Sequence, residues 1–217
     1  MKKFETKDLR NVILIGHGKS GKTSLAEAML FNAGVVKRLG RVDDGTSLMD
    51  YEPEEIKRKI TISSSFHNIK WNKTKINIID TPGDNNFIAD TFNSLQVVEE
   101  AIIVIDAVSG VEVVTEKCWN KTKAINLPVM LFISKMDRER ADFYKVLVEI
   151  KETMEITPTP LQIPIGSEAD FKGIIDLLKM KAFVFADDKS GKCKEENIPD
   201  ALKESSEKYR EKLIENL

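Results

Sequence analysis

The chain has 217 residues, of which 41% are hydrophobic and 31% charged, and its formal net charge is −2. This length and composition are typical of one globular domain with a sizeable core, alone or with a large insertion. A net charge near zero excludes a general electrostatic attraction to nucleic acid, so an RNA contact would need a local basic patch.

Several features of the sequence bear on its compartment and partners. Cys118 and Cys193 are too few for a disulfide framework, and residues 1–5 show no signal-peptide pattern. The longest apolar run, Ala101 to Ala107, is interrupted by Asp106 and is too short to span a bilayer. We therefore expect a monomeric protein of the reducing cytoplasm that contacts neither a membrane nor DNA.

The first motif lies between a short apolar run at residues 11–15 and a helix-forming stretch at residues 24–31. It has the form G-x-x-x-x-G-K-T and consists of Gly16, His17, Gly18, Lys19, Ser20, Gly21, Lys22 and Thr23. In such a strand–loop–helix unit the backbone N–H groups bind phosphate and the helix N-terminus adds positive charge. Lys22 then reaches the β- and γ-phosphates, and the Thr23 hydroxyl ligates Mg²⁺. The sequence therefore predicts a nucleotide phosphate site.

The next stretch, residues 34–58, lacks periodicity, and we interpret it as a long mobile loop of the kind that is usually functional or disordered. Thr61 ends this loop and begins a predicted strand at residues 61–66, followed by a second strand at residues 75–79. A hydroxyl at Thr61 is placed to complete a Mg²⁺ shell only while a γ-phosphate is present.

Two further motifs each follow an apolar strand. Asp80, at the carboxyl end of the strand at residues 75–79, can hold a Mg²⁺-bound water. The Pro82-Gly83 bend after Thr81 can direct the Gly83 N–H at a γ-phosphate.

The second of these motifs is Ser134-Lys135-Met136-Asp137, which follows the apolar run at residues 129–133. A carboxylate at Asp137 can accept both N1–H and N2–H₂ of guanine, whereas adenine cannot make that pair, and the Lys135 stem can lie along the base. This pattern favours a guanine nucleotide.

The remaining elements complete an alternating pattern. Residues 101–105 and 129–133 are near-continuous apolar runs, typical of central strands, and helices are predicted at residues 112–124 and 139–154. The alternation predicts an α/β fold with helices on both faces of the sheet. We place a nucleotide-binding core at residues 1–160 and an accessory segment at residues 161–217. In that segment we predict, in order, a strand at 161–165, a mixed apolar stretch at 171–185, a charged turn-rich stretch at 186–199 and a helix from Pro199.

These motifs, together with Arg58 to Ile62 and Pro164 to Glu168, resemble those of the translational GTPases. The match is closest to elongation factor G and elongation factor G-like proteins, and it extends over residues 11–185. The resemblance implies a P-loop NTPase fold with a mostly parallel sheet, GTP or GDP bound with Mg²⁺, and hydrolysis triggered by the ribosome. It also implies that residues 34–59 are switch I and residues 80–93 are switch II.

The resemblance further implies that the sequence is a fragment. Residues 161–217 resemble the start of an insertion in the family's nucleotide domain. The last strand and helix of that domain, its base-contacting loop and the later domains are then absent.

The resemblance also assigns residue roles. Catalytic roles fall to Lys22, Thr61, Gly83 and Asp84. The metal ligands are Thr23, Thr61 and, through water, Asp80. The nucleotide contacts are Gly16, His17, Gly18, Lys19, Ser20, Gly21, Lys22, Thr23, Ser24, Asp80, Thr81, Pro82, Gly83, Asp84, Ser134, Lys135, Met136 and Asp137.

Four positions depart from the family pattern. Asp84 replaces a His that orients the attacking water, so we expect slow hydrolysis or greater dependence on the ribosome. Lys19 replaces an Asp that helps to hold a monovalent cation, and Gly18 replaces an apolar residue of the gate over the water. Ser134 replaces an Asn that braces the phosphate loop, and we expect this loss to weaken nucleotide binding by about 1 kcal/mol.

Besides a GTP-hydrolysing elongation factor G-like protein, other functions stay open. One is a ribosomal protection or release-type GTPase. Another, favoured by Asp84 and Gly18, is a hydrolysis-impaired module that binds the ribosome in a GTP-dependent way. A small-molecule kinase or transport ATPase is disfavoured by Lys135-Met136-Asp137.

Overall fold

The structure, a computed structural model, describes residues 4–186 and 192–216. Within these ranges the chain divides into two compact units, one ending at Ser134 and the other beginning at Lys135. The boundary between the nucleotide-binding core and the accessory segment, placed after residue 160, stays a prediction. No helix in the described ranges is both long enough and apolar enough to cross a membrane.

The first unit is a five-stranded, mostly parallel sheet with helices, and this α/β architecture agrees with the predicted fold class. Its strands are β1 (Leu9–Ile15), β2 (Ser65–Trp71), β3 (Thr74–Asp80), β4 (Glu100–Asp106) and β5 (Val129–Ser134). Its helices are α1 (Lys22–Asn32), α2 (Pro53–Arg58), α3 (Ile88–Ser94) and α4 (Val113–Ala124).

The sheet has the strand order β2-β3-β1-β4-β5, and all neighbouring strands are parallel except the β2–β3 hairpin. Leu14 of β1 packs with Ala26 and Leu30 of α1 in a buried apolar cluster. Ile13 and Ile15 lie on the opposite face of β1, because side chains alternate along a strand, and both are fully buried. Both faces of the central strand are therefore covered.

Two details of the region between α1 and β3 differ from the sequence-based prediction. The predicted loop at residues 34–58 ends in a helix, α2, which starts with Pro53 and whose Glu55 side chain accepts the Glu52 N–H. The helix is too short to show an apolar repeat. The strand predicted from Thr61 begins only at Ser65, because the N–H groups of Ile62 and Ser63 bind the Glu55 carboxylate instead of a neighbouring strand.

The second unit contains a four-stranded antiparallel sheet of order β6-β7-β8-β9. Its elements are α5 (Phe143–Met154), β6 (Gln162–Ile165), β7 (Gly173–Asp176), β8 (Lys181–Phe185), β9 (Cys193–Glu196) and α6 (Asp200–Glu215). Ile163, Ile175 and Leu213 lie in one apolar cluster, against which Leu202 and Tyr209 of α6 pack. The helix predicted from Pro199 is thus present and begins at Asp200.

One part of the predicted turn-rich stretch at residues 186–199 is wrong, because β9 pairs with β8 there. All four residues of β9 are exposed, so the strand depends on backbone hydrogen bonds and leaves no alternation of apolar side chains in the sequence. Residues 187–191 of this stretch lie outside the described residues.

Candidate nucleotide-binding site

The loop that joins β1 to α1 has a left-handed backbone at both ends. Gly16 has a φ of 137° and Gly21 a φ of 103°, values that other residues rarely adopt. A Cβ on Gly16 would also lie 2.5 Å from the carbonyl oxygen of Val104. Gly21 is the N-cap of α1, so the loop leads directly into a helix N-terminus, whose first N–H groups lack intrahelical partners. The loop therefore has the shape and the polarity of a phosphate site.

Lys22 lies in the first turn of α1 and is only 5% exposed. Its ammonium group donates hydrogen bonds to the carbonyl oxygens of Gly16, at 3.1 Å, and His17, at 2.7 Å. Burial lowers the pKa of Lys22, and the nearby Asp80 carboxylate acts in the opposite direction. The side chain is thus folded back over the loop that precedes it.

The backbone of Gly83 packs directly against this loop. A Cβ on Gly83 would lie 2.3 Å from Nζ of Lys22 and 2.6 Å from the backbone nitrogen of Gly18. No larger residue fits there without moving the loop. The structure thereby brings Gly18, Lys22 and Gly83 together.

Thr81 and Pro82 make contacts that position the backbone. The Thr81 hydroxyl donates to the carbonyl oxygen of Leu14 at 2.8 Å, and the Thr91 hydroxyl donates to the carbonyl oxygen of Pro82 at 3.0 Å. These bonds fix the chain between β3 and α3, and with it Gly83.

Asp84 is exposed, and its side chain accepts a hydrogen bond from the Asn86 N–H at 2.8 Å. This bond caps a short 3-10 turn, Asn85–Phe87. The Asn85 side chain in turn accepts a hydrogen bond from the Lys117 ammonium of α4 at 2.6 Å. Asp84 therefore has a local structural role that the sequence comparison with a His did not indicate.

Four oxygen-bearing side chains meet beside Lys22. The Thr23 hydroxyl donates to Oδ2 of Asp80 at 2.6 Å and lies 3.1 Å from the Thr61 hydroxyl. The Thr61 hydroxyl donates to Oδ1 of Asp50 at 2.8 Å. The predicted metal ligands Thr23, Thr61 and Asp80 thus form one connected cluster with Asp50.

The cluster contains two carboxylate oxygens that are buried and have no hydrogen-bond partner among the described residues, Oδ1 of Asp80 and Oδ2 of Asp50. Burial raises the pKa of Asp80 to about 7, although the Thr23 hydrogen bond and the Lys22 charge oppose this shift. Burial also raises the pKa of Asp50. A set of hydroxyl and carboxylate oxygens with unsatisfied acceptors fits a hard divalent cation such as Mg²⁺.

Asp50 was not identified from the sequence. It lies in the segment that lacked periodicity, and nothing in the spacing separates it from Asp43 and Asp44 in the same segment. Only its hydrogen bond to Thr61, eleven residues further on, places it in the cluster.

The other residues of the loop take different positions. The His17 side chain is buried against α4, where Nδ1 lies 3.0 Å from Oγ1 of Thr115 and Nε2 lies 3.5 Å from Oε1 of Glu112. Its side chain therefore contacts α4, and its carbonyl oxygen contacts Lys22. Two loop residues and the first exposed residue of α1 are open to solvent: Gly18, Lys19 and Ser24.

Ser134, at the end of β5, contacts the phosphate loop. Its hydroxyl lies 2.6 Å from the carbonyl oxygen of Ser20, to which it donates a hydrogen bond. A serine at this position therefore still reaches the loop, and the expected weakening of nucleotide binding stays a prediction. The Ser20 hydroxyl itself is buried and has no partner among the described residues.

Lys135, Met136 and Asp137 belong to the second unit, in which Glu168 organises their loop. The Glu168 N–H donates to the Met136 carbonyl oxygen at 2.9 Å, and the Glu168 carboxylate accepts the Arg140 N–H at 2.7 Å. Lys135 has a φ of 58°, and the Asp137 side chain is exposed. The carboxylate proposed to select guanine is thus accessible on a loop held from both sides.

Two comparisons with known proteins agree with this geometry. The family model described as "Elongation factor Tu GTP binding domain" matches residues 7–209. The crystal structure of ttk003000868 from Thermus thermophilus is similar, with a TM-score of 0.88 and 29% sequence identity over 95% of this chain. The chain spans 30% of the length of that protein.

Proposed function

Since the chain belongs to the family of elongation factor Tu GTP-binding domains, we propose that it is the GTP-hydrolysing switch of an elongation factor G-like protein that acts on the ribosome. GTP binding of elongation-factor type follows from the family. The elongation factor G type, the ribosome as partner and the use of Mg²⁺ are our proposal.

The observation that carries the proposal is the cluster of Thr23, Thr61, Asp80 and Asp50 next to the Lys22 ammonium. Thr23 belongs to the phosphate loop and its helix, Asp80 ends β3, and Thr61 follows switch I directly. Three separate stretches of chain thus supply oxygen ligands to one point. A site that depends on all three can respond to the loss of a single phosphate.

In this proposal, each group of residues contacts a different part of the bound nucleotide and its metal ion. The N–H groups of the loop and of the first turn of α1 bind phosphate oxygens, and Lys22 exchanges its contacts with loop carbonyl oxygens for phosphate. Thr23 and Thr61 would ligate Mg²⁺ directly and Asp80 through water. When bound, Mg²⁺ neutralises charge on the phosphates.

Switch action follows from where Thr61 and Gly83 lie. Thr61 reaches the cluster from the end of switch I, and Gly83 touches Lys22 from switch II. Both lie on segments that can move away when the γ-phosphate leaves, while α1 keeps Lys22 and Thr23 in place. The Asp137 carboxylate would accept hydrogen bonds from the N1–H and N2–H₂ groups of guanine.

Direct binding measurements test this function. Titration calorimetry with GTP, GDP and ATP, each with and without Mg²⁺, should show GTP and GDP binding that Mg²⁺ strengthens, and weak binding of ATP. The Asp137→Ala variant should lose affinity for GTP, while Lys192→Ala, an exposed position in the other half of the second unit, should not. Equal binding of ATP and GTP by the wild type would contradict the proposal.

The contact of Asp84 with Asn86 favours a second candidate function, a GTP-dependent ribosome-binding module with impaired hydrolysis. A carboxylate engaged as a cap lacks the N–H of an imidazole and is turned towards its own backbone. Turnover of GTP in the presence of ribosomes separates the two functions. A rate no higher than that without ribosomes, together with GTP-dependent ribosome binding, would favour the second.

A further inference from the structure

Glu27 is a carboxylate in the interior of the first unit that none of the roles above uses. It lies on α1 and is 1% exposed. Its Oε1 accepts hydrogen bonds from the Ser47 hydroxyl at 2.8 Å, from the Leu48 N–H and from the Met49 N–H at 3.1 Å. The three donors are consecutive residues of switch I.

The loop is shaped to meet this carboxylate at a second point. A Cβ on Gly40 would lie 2.3 Å from Oε2 of Glu27 and 2.9 Å from the carbonyl oxygen of Thr46. Switch I therefore passes so close to Glu27 that a Cβ at residue 40 would displace the Glu27 carboxylate. The carboxylate contacts the loop on both sides of a six-residue segment, 41–46.

Ser47 connects Glu27 to the cluster of Thr23, Thr61, Asp80 and Asp50 through further hydrogen bonds. The Ser47 hydroxyl oxygen also accepts the N–H groups of Met49, at 3.1 Å, and Asp50, at 3.2 Å. Asp50 then accepts the Thr61 hydroxyl. Fixing Ser47 therefore fixes the backbone that presents Asp50 to Thr61.

Apolar packing holds the same segment. The Met49 side chain is 1% exposed and lies in one cluster with Ala26 and Leu30, the helix neighbours of Glu27. Consecutive residues of this segment thus contact α1, first through the hydrogen bonds of Ser47 and Leu48 and then through the apolar side chain of Met49. Free rotation of Ser47 and Leu48 is excluded while both contacts hold.

Thr23 and Glu27 are four residues apart on α1 and therefore lie on the same face of the helix. Thr23 contacts Thr61, and Glu27 contacts residues 47–49. One helix face thus contacts the chain at two points, within switch I at residues 47–49 and just after it at Thr61. The spacing of these points is set by the helix rather than by the loop.

We propose that Glu27 is a positioning residue that holds switch I against α1 so that Asp50 and Thr61 meet Thr23 and Asp80. This inference rests on the proposed GTP-dependent switch and adds a residue outside the nucleotide motifs to it. Glu27 touches no reacting group and acts only through the loop. The hydrogen bonds of Glu27 described above go to residues 47–49 and not to the phosphate loop or Lys22.

The test compares Glu27→Ala with Glu27→Gln, whose amide oxygen can still accept the same hydrogen bonds. Affinities for GDP and for a non-hydrolysable GTP analogue are measured with Mg²⁺. We expect Glu27→Ala to keep its GDP affinity to within about threefold and to lose roughly tenfold or more of its affinity for the analogue. Glu27→Gln should recover most of that loss. A general defect in folding would lower both affinities alike.

Trypsin cleavage provides a readout that does not depend on activity. Lys37, Arg38 and Arg41 are exposed residues of switch I. With and without nucleotide, Glu27→Ala should be cleaved at these residues faster than the wild type, and Glu27→Gln at nearly the wild-type rate. Glu116→Ala, which removes an exposed helix glutamate from α4, should behave as the wild type.

A second variant approaches the contact from the loop. Gly40→Ala forces a methyl group against the Glu27 carboxylate, lies outside the sheet and should also speed trypsin cleavage. Wild-type cleavage rates and affinity ratios in both Glu27→Ala and Gly40→Ala would overturn the positioning role. Failure of the wild type to bind the GTP analogue would instead overturn the proposed function, while the nucleotide-free cleavage still decides whether Glu27 holds the loop.

Discussion

The carboxylate of Asp84 and the hydroxyl of Ser134 both replace a residue that the family resemblance leads one to expect. Asp84 caps the turn at Asn85–Phe87 through the Asn86 N–H. Ser134 donates to the Ser20 carbonyl oxygen at 2.6 Å. In each case the smaller or different side chain makes a backbone contact of its own. We expect the residue at position 84 to affect the rate of hydrolysis strongly and the residue at position 134 to affect nucleotide affinity modestly.

For hydrolysis, replacement of Asp84 should have a large effect. An imidazole can orient water, and proton-transfer groups of this kind contribute on the order of 10²-fold or more, so we expect Asp84→His to raise the single-turnover rate with ribosomes by at least about tenfold. Asp84→Asn is the matched control, because it removes the charge but keeps an oxygen that can cap Asn86. An unchanged rate in the His variant would show that the position does not limit hydrolysis.

For binding, Ser134 should matter modestly. Ser134→Ala removes one hydrogen bond to the phosphate loop, so we expect GDP affinity to fall by about 1 kcal/mol, roughly fivefold. Ser134→Asn should restore the wild-type value if an amide reaches the same carbonyl oxygen. Titration calorimetry measures the change, and Ser109→Ala, on the exposed turn after β4, is the control. A Ser134→Ala variant that binds GDP like the wild type would show that the hydrogen bond between Ser134 and Ser20 does not contribute to nucleotide affinity.

At the scale of elements, α2 shows how a short helix fixes the chain that follows Thr61. Glu55 of α2 is 1% exposed and accepts the N–H groups of Ile62 at 2.8 Å and Ser63 at 3.1 Å, just past Thr61. Its second oxygen accepts the Glu52 N–H at the start of the helix. The helix and the chain after Thr61 are therefore one hydrogen-bonded unit.

Truncation of Glu55 should uncouple that unit. Glu55→Ala leaves three backbone N–H groups without their acceptor, and we expect the free energy of unfolding to fall by about 2–3 kcal/mol. Urea denaturation measures the change. Glu54→Ala, whose exposed side chain pairs with Arg58 at the surface, should cost about 0.5 kcal/mol or less. Equal losses in the two variants would contradict the assignment of Glu55 as the organising side chain.

At the scale of the whole chain, each of the two units has its own apolar core and its own cysteine. Leu14 and Ile78 belong to the core of the first unit, and Ile163 and Ile175 to that of the second. Cys118, on α4 in the first unit, is buried, and Cys193, on β9 in the second, is exposed. The two thiols therefore report on different environments.

Thiol reactivity should follow this difference. Burial raises the pKa of Cys118 from 9.0 to about 11, against a weaker opposing hydrogen bond from the Gly16 N–H. At pH 8 we expect iodoacetamide to modify Cys193 rapidly and Cys118 only after unfolding, as mass spectrometry would measure. In a Cys193→Ser variant no thiol should react rapidly. Rapid modification of two thiols in the folded wild type would contradict the burial of Cys118.

The same shift has a defined sign for stability. The folded state binds the Cys118 proton more tightly than the unfolded state, so the contribution of Cys118 is fully present below pH 9. It is lost as the pH rises from 9 towards 11, because the unfolded thiol ionises first. Cys118→Ala should flatten this part of the stability curve.

The sequence was sufficient for the features that depend on local patterns. The G-x-x-x-x-G-K-T loop, the apolar runs of β1 and β4 and the acidic residue that ends β3 each follow from residues close together in the chain. The prediction of β5 as a central strand is wrong, because β5 lies at the edge of the described sheet and exposes Met130 and Phe132. Local rules also predicted α4 and α5 to within a few residues. Elements that depend on backbone pairing alone, such as β9, or on caps, such as α2, left no apolar repeat and were missed.

The sequence by itself predicted where the phosphate loop lies, because a strand–loop–helix motif is local, and the family resemblance predicted that Asp80 joins Lys22 and Thr23. Only the tertiary structure decided that Asp50 accepts a hydrogen bond from Thr61, that Ser134 reaches the loop and that Glu27 accepts a hydrogen bond from Ser47. These contacts join residues that are 11 to 114 positions apart in the sequence. A hydrogen bond between residues so far apart leaves no periodic or compositional pattern in the sequence, so it becomes visible only in the folded chain.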